Sequence, residues 1–194
     1  MVRNETNARL DDRFQIEQLM RLWARAVDRR DWSLVRTVFH PDAVDDHGMY
    51  KGGIDGLLDW LEARHQWISM SLHVLGNITI EFVSSDLALC ESYVVAYQRY
   101  DACPGADPVH IKAALGDWIK LADLPIDVVM PARYVDEVTR RGDVWCISNR
   151  VTVFEGRSFL VADNTPLDSA WTVGRRDNAD PLHAARLRLG LTFV

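Results

Sequence analysis

The chain has 194 residues, of which 48% are hydrophobic and 26% are charged, and its formal net charge is −6. These values are typical of a single globular domain with a sizeable core. The negative charge argues against nucleic acid as the main partner, because phosphate binding requires a basic surface. No run approaches the ~18 apolar residues of a membrane span, and the N-terminus lacks the apolar segment of a secretory signal.

The cysteines indicate a reducing compartment. There are three, Cys90, Cys103 and Cys146, so their number is odd, and no two have CxxC spacing. Cys90 and Cys146 lie in strand-like runs, where a free cysteine packs as a small apolar residue. We therefore expect a cytoplasmic protein without a disulfide framework.

Three helices are predicted before residue 70. Residues 10–30 carry apolar side chains at helical spacing, namely Ile16, Leu19, Leu22, Trp23, Ala26 and Val27, and the stripe is widened by Phe14, Met20 and Ala24. Asp28 lies on the margin of this stripe near the end of the helix, where a carboxylate is mildly unfavourable for the helix dipole. Asp31 is the predicted N-cap of a short helix at 32–39. A third amphipathic helix covers residues 54–67.

The pattern changes to strands after residue 70. Strands are predicted at 72–83, 87–99, 126–139 and 144–154, with an insertion at 102–125 that carries a short helix near 110–124. In the first strand we expect Leu72, Val74, Ile78, Ile80 and Phe82 to face the core. His73 stands among them. Helices followed by antiparallel strands predict an α+β fold, in which helices cover one face of a curved sheet around an apolar cavity.

Several stretches resemble the SnoaL-like branch of the NTF2-like superfamily, which includes polyketide cyclases, dehydratases and a dehydrochlorinase. They are WARAVDRRDWSLVRTVFHPDA, DDHGMYKG, SLHVLGNITIEF, ARYVDEVTRRGDVWCISNRVTVFE and GRRDNADP. The resemblance implies a cone-shaped, curved antiparallel sheet with three N-terminal helices. It also implies a domain at 1–155, a tail at 156–194 that serves as a lid or subunit clasp, and a homo-oligomer (dimer or trimer) formed through the exposed sheet face.

The resemblance also indicates site residues. Lyases of this group pair an aspartate at the end of the first helix with a histidine that opens a strand, which are Asp28 and His73 here. Arg133 corresponds to a strand arginine that faces the pocket. Trp23 stands where some members have a catalytic tyrosine, and the second strand has no counterpart of the second histidine of scytalone dehydratase. Trp23, Tyr93 and Asn149 are expected to line the substrate pocket.

Each of these residues also has a purely structural explanation. His73 is then a core histidine bound to the backbone, and Asp28 a helix-end carboxylate paired with a nearby arginine. Arg133 is then part of an ion pair with Asp136 or Glu155. Trp23, Tyr93 and Asn149 are then ordinary core residues.

The turn HPDAVDDHG raises the question of a metal, because it contains His40, Asp42, Asp45, Asp46 and His47. Their spacing matches no defined ligand motif, and Asp42 after Pro41 is first explained by turn chemistry. We expect no metal and no cofactor, and the chain has no nucleotide-binding signature.

Together these features predict a cofactor-independent lyase, or a related isomerase or cyclase, that uses an Asp28–His73 base on a small hydrophobic substrate, including polycyclic ones. Histidine suits such a reaction because its ordinary pKa lies near neutrality, and a carboxylate fixes its tautomer. Two alternatives remain: a non-catalytic small subunit of an aromatic-ring dioxygenase-like assembly, and a ligand-binding protein without chemistry.

Overall fold

In the described part of the chain, three helices precede the long strands, as the sequence predicts. A computed structural model of the protein describes residues 2–102, 115, 116, 120, 123–163 and 165–191. The helices are α1 (Val2–Arg29), α2 (Trp32–Thr37) and α3 (Ile54–His65). Asp31 caps α2 as expected, because its Oδ1 accepts a hydrogen bond from the Leu34 amide at 3.0 Å. None of the described helices is long and apolar enough to cross a membrane.

The strands of the described residues form one curved, mainly antiparallel sheet. They are β1 (Phe39–Asp46), β2 (Lys51–Gly53), β3 (Ile68–Phe82), β4 (Leu87–Tyr100), β5 (Ile126–Arg141), β6 (Val144–Phe154) and β7 (Ser158–Val161). Their order is β2-β1-β6-β5-β4-β3, and β7 pairs with β5. The β1–β6 pairing is parallel, and the other pairings are antiparallel. The predicted α+β fold is confirmed.

The main core lies between the helices and the inner face of this sheet. The apolar stripe of α1 is buried there as the 3–4 spacing predicts, and its buried members are Ile16, Leu19, Met20, Trp23, Ala26 and Val27. Phe14 was expected to widen this stripe, but its side chain is exposed. Cys90 and Cys146 are buried free thiols, as predicted.

A β-bulge in β3 decides which side chains reach the core. Leu75 pairs with Val94 and Ile78 pairs with Ser92, so β3 contains one more residue than β4 between these two pairs. Gly76 and Asn77 together lie opposite Tyr93, and such a bulge shifts the alternation of side chains by one residue. Odd-numbered residues therefore face the core just before the bulge, and even-numbered residues face it after the bulge.

The prediction for β3 is consequently right only beyond the bulge. Ile80 is buried in the core, whereas Leu72 and Val74 are 49% and 48% exposed on the outer face. Before the bulge it is Ser71 and His73 that point to the inner face. Just before the bulge the strand thus presents the polar Ser71 and His73, and not Leu72 and Val74, to the interior.

The chain after residue 155 begins with a strand that was not predicted. The short β7 extends the sheet along β5, and an irregular stretch then leads to helix α4 (Pro181–Arg188). Asp180 caps α4 by accepting from the Leu182 amide at 3.0 Å. The helix predicted near 110–124 lies largely outside the described residues.

Candidate active site

Asp28 in the last turn of α1 and His73 on β3 form a buried pair. His73 Nδ1 donates to Asp28 Oδ1 at 2.6 Å, and the His73 amide donates to Oδ2 at 2.8 Å. The Ser71 hydroxyl donates to Oδ1 at 2.8 Å. The side chains of His73 and Asp28 are only 7% and 8% exposed. The two residues to which the resemblance pointed are therefore in direct contact.

The hydrogen bonds keep Asp28 ionised. Burial alone raises the pKa of its carboxyl group, but the side-chain bond and charge of His73, the His73 amide and the Ser71 hydroxyl outweigh it, so the pKa is lowered. A carboxylate that accepts from Nδ1 fixes the proton on that nitrogen. Nε2 is then the ring nitrogen left for a ligand, because His73 lines a cavity.

An arginine from the last part of the chain holds the end of α1 beside β3. The helix itself ends just before Arg30, whose φ of 57° is the left-handed conformation that ends many helices. Arg176, in the GRRDNADP motif, donates from Nε to the Asp28 carbonyl at 2.8 Å and from Nη2 to that of Val27 at 2.9 Å. Its Nη1 donates to the carbonyl of Ile68 at 2.6 Å. Arg176 therefore fixes the backbone that carries Asp28 against the start of β3.

The cavity that His73 lines has a volume of about 480 Å³, within the usual range of small-molecule sites. Its apolar lining consists of Met49, Trp60, Val94, Ala96, Met130, Ala132 and Phe154. Its polar and charged lining includes His47, Arg64, His73, Gln98, Tyr134, Thr152, Glu155 and Arg157. A mainly apolar wall with a few polar groups is suited to a small hydrophobic molecule.

A second aspartate–histidine pair faces the same cavity. His47, just after β1, has Nδ1 at 3.1 Å from Oδ1 of Asp45, which is completely buried. The Thr152 hydroxyl lies 3.3 Å from the same nitrogen. The sequence analysis considered both residues only as metal ligands. The available signal was the Asp-x-His spacing, because residues two apart in an extended chain point to the same side.

The other polar residues of that turn do not converge on this pair. His40 Nε2 contacts the Thr139 carbonyl at 2.9 Å, on the other side of β1. Asp42 forms an ion pair with Arg141, and Asp46 with Lys51. Among the described residues, no group of three or more histidine, cysteine, aspartate or glutamate side chains is arranged to hold a metal ion.

Arg64 was also missed by the sequence analysis. It lies on α3, one turn after Trp60, and both side chains line the cavity. Its Nε donates to the Tyr100 hydroxyl at 2.9 Å and its Nη2 to Gln98 Oε1 at 2.7 Å. The i, i+4 spacing of Trp60 and Arg64 places them on one helix face, which was the available signal.

The structure contradicts the prediction that Arg133 faces the pocket. Ala132 and Tyr134, its neighbours on β5, line the cavity, so alternation directs Arg133 to the outer face. There Nε donates to Glu155 at 2.6 Å and Nη1 to Glu91 at 2.5 Å. The ion-pair explanation is therefore the correct one.

The three predicted pocket residues are not part of the cavity wall. Tyr93 pairs with Arg133 across the strands and is exposed on the outer face. Trp23 is buried in the core behind the wall, with its ring centroid 6.2 Å from that of Tyr134. Asn149 has the opposite parity to Thr152, which does line the cavity. The predictions for Tyr93 and Asn149 failed because the face of the strand that each side chain takes was unknown. The prediction for Trp23 failed because its depth in the core was unknown.

Known proteins share both sequence and fold with this chain. The SnoaL-like domain family matches residues 8–151. The uncharacterized protein Rv2910c of Mycobacterium tuberculosis is 35% identical over 88 residues, which are 42% of this chain and 56% of that protein. The chain thus matches little more than half the length of this curated relative.

Two solved structures illustrate the shared fold. The hexachlorocyclohexane dehydrochlorinase LinA-type3 of Novosphingobium barchaimii LL02 is 19% identical, with a TM-score of 0.66 over 84% of this chain and 99% of that one. A candidate scytalone dehydratase of Novosphingobium aromaticivorans DSM 12444 is 21% identical, with a TM-score of 0.62 over 79% and 90%. Since the family match spans most of the chain and the NTF2-like fold agrees, the protein belongs to the SnoaL-like family.

Proposed function

We propose that this protein is a cofactor-independent lyase, a dehydratase or dehydrohalogenase, that acts on a small hydrophobic molecule. The observation that carries the proposal is the buried Asp28–His73 pair on the wall of a mainly apolar cavity. A related isomerase or cyclase would begin with the same proton removal. The experiments therefore measure that step separately from the departure of a leaving group.

His73 is the base in this mechanism. Its Nε2 takes a proton from a carbon beside an activating group, and the electrons of that C–H bond form a new C=C bond. The leaving group departs with the electrons of its own bond on the adjacent carbon. Asp28 stabilises the imidazolium that forms and holds the ring in position. A positioned base contributes about 10²–10⁴-fold to the rate, and orientation in the cavity supplies a further part.

His47 is the acid in this mechanism. It lies just after β1, whereas His73 lies on β3, and β6, β5 and β4 separate the two strands in the sheet. Both histidines line the same cavity. A protonated His47 gives its proton to a departing hydroxyl group, which leaves as water. His73 then releases its proton to solvent, and His47 takes up a proton from solvent. A halide leaves without such a proton.

The non-catalytic alternatives differ from this proposal in what they require of the site. An assembly subunit needs no cavity at His73, and a ligand-binding protein needs no buried carboxylate–imidazole pair. Both features occur at the same place here. Ligand binding without turnover is the outcome that would favour the second alternative.

A suitable test substrate is 3-hydroxy-1-tetralone, a bicyclic β-hydroxy ketone. Removal of the proton at C2 and loss of the C3 hydroxyl group as water give 1-naphthol after tautomerisation, which fluorescence detects. We expect production of 1-naphthol by the wild-type protein and loss of at least ~10²-fold in His73→Gln. Exchange of the C2 protons of 1-tetralone in D₂O, followed by NMR, reports proton removal alone.

The matched control is His183→Gln, which removes a histidine in α4 that does not line the cavity. It should leave both reactions unchanged, and circular dichroism should show that all variants are folded. Equal rates for wild type and His73→Gln, in elimination and in exchange, would refute the proposed role of His73.

We also propose that the protein forms a homo-oligomer through the outer face of the sheet. Neighbouring positions on β3 and β4 expose Met70, Leu72, Val74, Tyr93 and Tyr97. Apolar patches of this kind commonly mark protein interfaces. Sedimentation equilibrium should show a dimer or trimer that becomes a monomer in Leu72→Glu. A monomeric wild type would contradict this proposal.

A further inference from the structure

Arg64 is a buried cation without an acidic partner among the described residues. Its residue surface is 8% exposed, and its two hydrogen bonds go to neutral groups, the Tyr100 hydroxyl and the Gln98 amide oxygen. Its guanidinium carbon lies 5.4 Å from the ring centroid of Trp60. No carboxylate of the described residues forms an ion pair with it. Arg64 therefore lines the cavity with a positive charge that no carboxylate of the described residues pairs with.

Two other arginines of the described chain, the buried Arg150 and the half-buried Arg176, have partners that offset their charges. Arg150 forms two hydrogen bonds of 2.7 Å with the carboxylate of Asp136. Arg176 binds three backbone carbonyls, two of them at the C-terminal end of α1, where the helix dipole is negative. Arg64 also lies in the last turn of its helix, but burial of an ion costs more than a helix end returns. An anion from a ligand would supply the missing charge.

The position of Arg64 relates it to the proposed base. Its acceptor Gln98 pairs with Ser71 on β3, and the neighbouring pair on the same face is Ala96 with His73. Gln98 and His73 are therefore diagonal neighbours on the inner face of the sheet. A ligand with an anionic oxygen at Arg64 would place an adjacent C–H group near the His73 ring.

We propose that Arg64, supported by Gln98, binds the carboxylate of the ligand, so that the cavity selects apolar carboxylic acids of one or two rings. This names a substrate class for the site and rests on the proposed function for its catalytic meaning. Binding of a carboxylate depends on Arg64 and does not require the lyase reaction. The cavity volume of about 480 Å³ and its mainly apolar wall fit the ring portion of such an acid.

Two other charged residues, Glu155 and Arg157, also line the cavity. Their effects on ligand binding must be distinguished from that of Arg64. The carboxylate of Glu155 is bound by Arg133 on the outer side. Arg157 follows β6, and its guanidinium carbon lies 5.1 Å from the ring centroid of Phe159. An anion at Arg157 is the competing explanation of any preference for acids, so a variant of that residue belongs in the test.

The test compares 1-naphthoate with 1-naphthamide, which has nearly the same shape and no charge. Isothermal titration calorimetry should show that the wild type binds the acid about 10- to 100-fold more tightly, as expected for charge-assisted hydrogen bonds. Arg64→Gln should remove this preference, because it weakens binding of the acid far more than binding of the amide. Arg141→Gln is the matched control and should retain the preference, because Arg141 is paired with Asp42 and does not line the cavity.

Three results would overturn the proposal. They are equal affinity of the wild type for acid and amide, a preference that persists in Arg64→Gln, and a preference lost only in Arg157→Gln. The first needs no variant, so it holds even if Arg64→Gln fails to fold. His73→Gln should still prefer naphthoate. If the wild type prefers naphthoate but catalyses neither the elimination nor the C2-proton exchange, the lyase proposal fails and the carboxylate site stands.

Discussion

The two aspartate–histidine pairs of the cavity are built in different ways. Asp28 and His73 lie 45 residues apart and meet only because α1 ends beside β3, whereas Asp45 and His47 are two residues apart at the end of one strand. Three donor groups occupy the two oxygens of Asp28. For Asp45, Oδ1 contacts His47, and Oδ2 has no hydrogen-bond partner among the described residues.

This difference indicates how firmly each histidine is oriented. Asp28 is held by directional bonds, so it fixes both the tautomer and the angle of His73. Asp45 interacts instead with the charge of Arg150, at longer range. Burial lowers the pKa of Arg150, but Asp136 and, less strongly, Asp45 outweigh burial and raise it. We infer that the first pair tolerates substitution least, as expected for the base of the reaction.

The largest effect is expected for Asp28→Asn. Donors already point at both Asp28 oxygens, so an amide would bring its own N–H groups against one of them and favour the wrong tautomer of His73. We expect a loss of roughly 10³–10⁴-fold in formation of 1-naphthol, and a similar loss in C2-proton exchange of 1-tetralone. A loss confined to elimination would show that Asp28 does not serve the base.

The same variant tests the ionisation of Asp28. Its folded-state pKa is lowered, so the stability it contributes is present above the unfolded-state pKa of about 3.9 and is lost as pH falls through the folded value. The difference in unfolding free energy between wild type and Asp28→Asn should therefore shrink below about pH 4. Urea unfolding at several pH values measures this, and a difference that grows in acid would contradict it.

A smaller effect is expected for Asp45→Asn. If His47 supplies only the proton of the leaving group, dehydration of 3-hydroxy-1-tetralone should fall by about 10- to 100-fold. The C2-proton exchange of 1-tetralone should stay close to the wild-type rate, because that reaction has no leaving group. An equal loss in both reactions would place His47 in proton removal or in folding. Asp42→Asn, at an exposed ion pair, is the matched control.

The smallest effect is expected for His65, which pairs with no carboxylate of the described residues. His65, at the end of α3, accepts from Arg176 Nη2 at 2.6 Å through Nδ1. Burial, followed by the charges of Arg64 and Arg176, holds its pKa well below the ordinary 6.5. The folded form stays neutral while the unfolded chain takes up a proton, so stability is complete above about pH 6.5 and declines below it.

His65→Gln should remove that decline, because a glutamine oxygen accepts the same hydrogen bond and does not titrate. The contribution of His65 to the slope of unfolding free energy against pH is at most about 1.4 kcal/mol per pH unit. Unfolding by urea at pH 7.5, 6.5 and 5.5 measures it, with His183→Gln as the control. An unchanged slope would show that other groups set the pH dependence.

The successes and failures of sequence analysis have different physical origins. The helix stripe of α1 and the cap at Asp31 depend on contacts within a few residues, and both were predicted correctly. The face of each β3 residue depends on a bulge that becomes visible only when β4 is paired with it. Arg133 was assigned to the pocket by resemblance, although its neighbours Ala132 and Tyr134 occupy that face.

By itself, the sequence determined the order of helices and strands, the α+β class and the family, because periodicity and local motifs are encoded along the chain. It also indicated Asp28 and His73 through resemblance. Only the tertiary structure decided that the two touch, that His47 shares their cavity and that no carboxylate of the described residues pairs with Arg64. Those facts depend on strand register, on the bulge in β3 and on the clasp of Arg176 at the end of α1. Such contacts join residues far apart in the chain, and no local pattern encodes them.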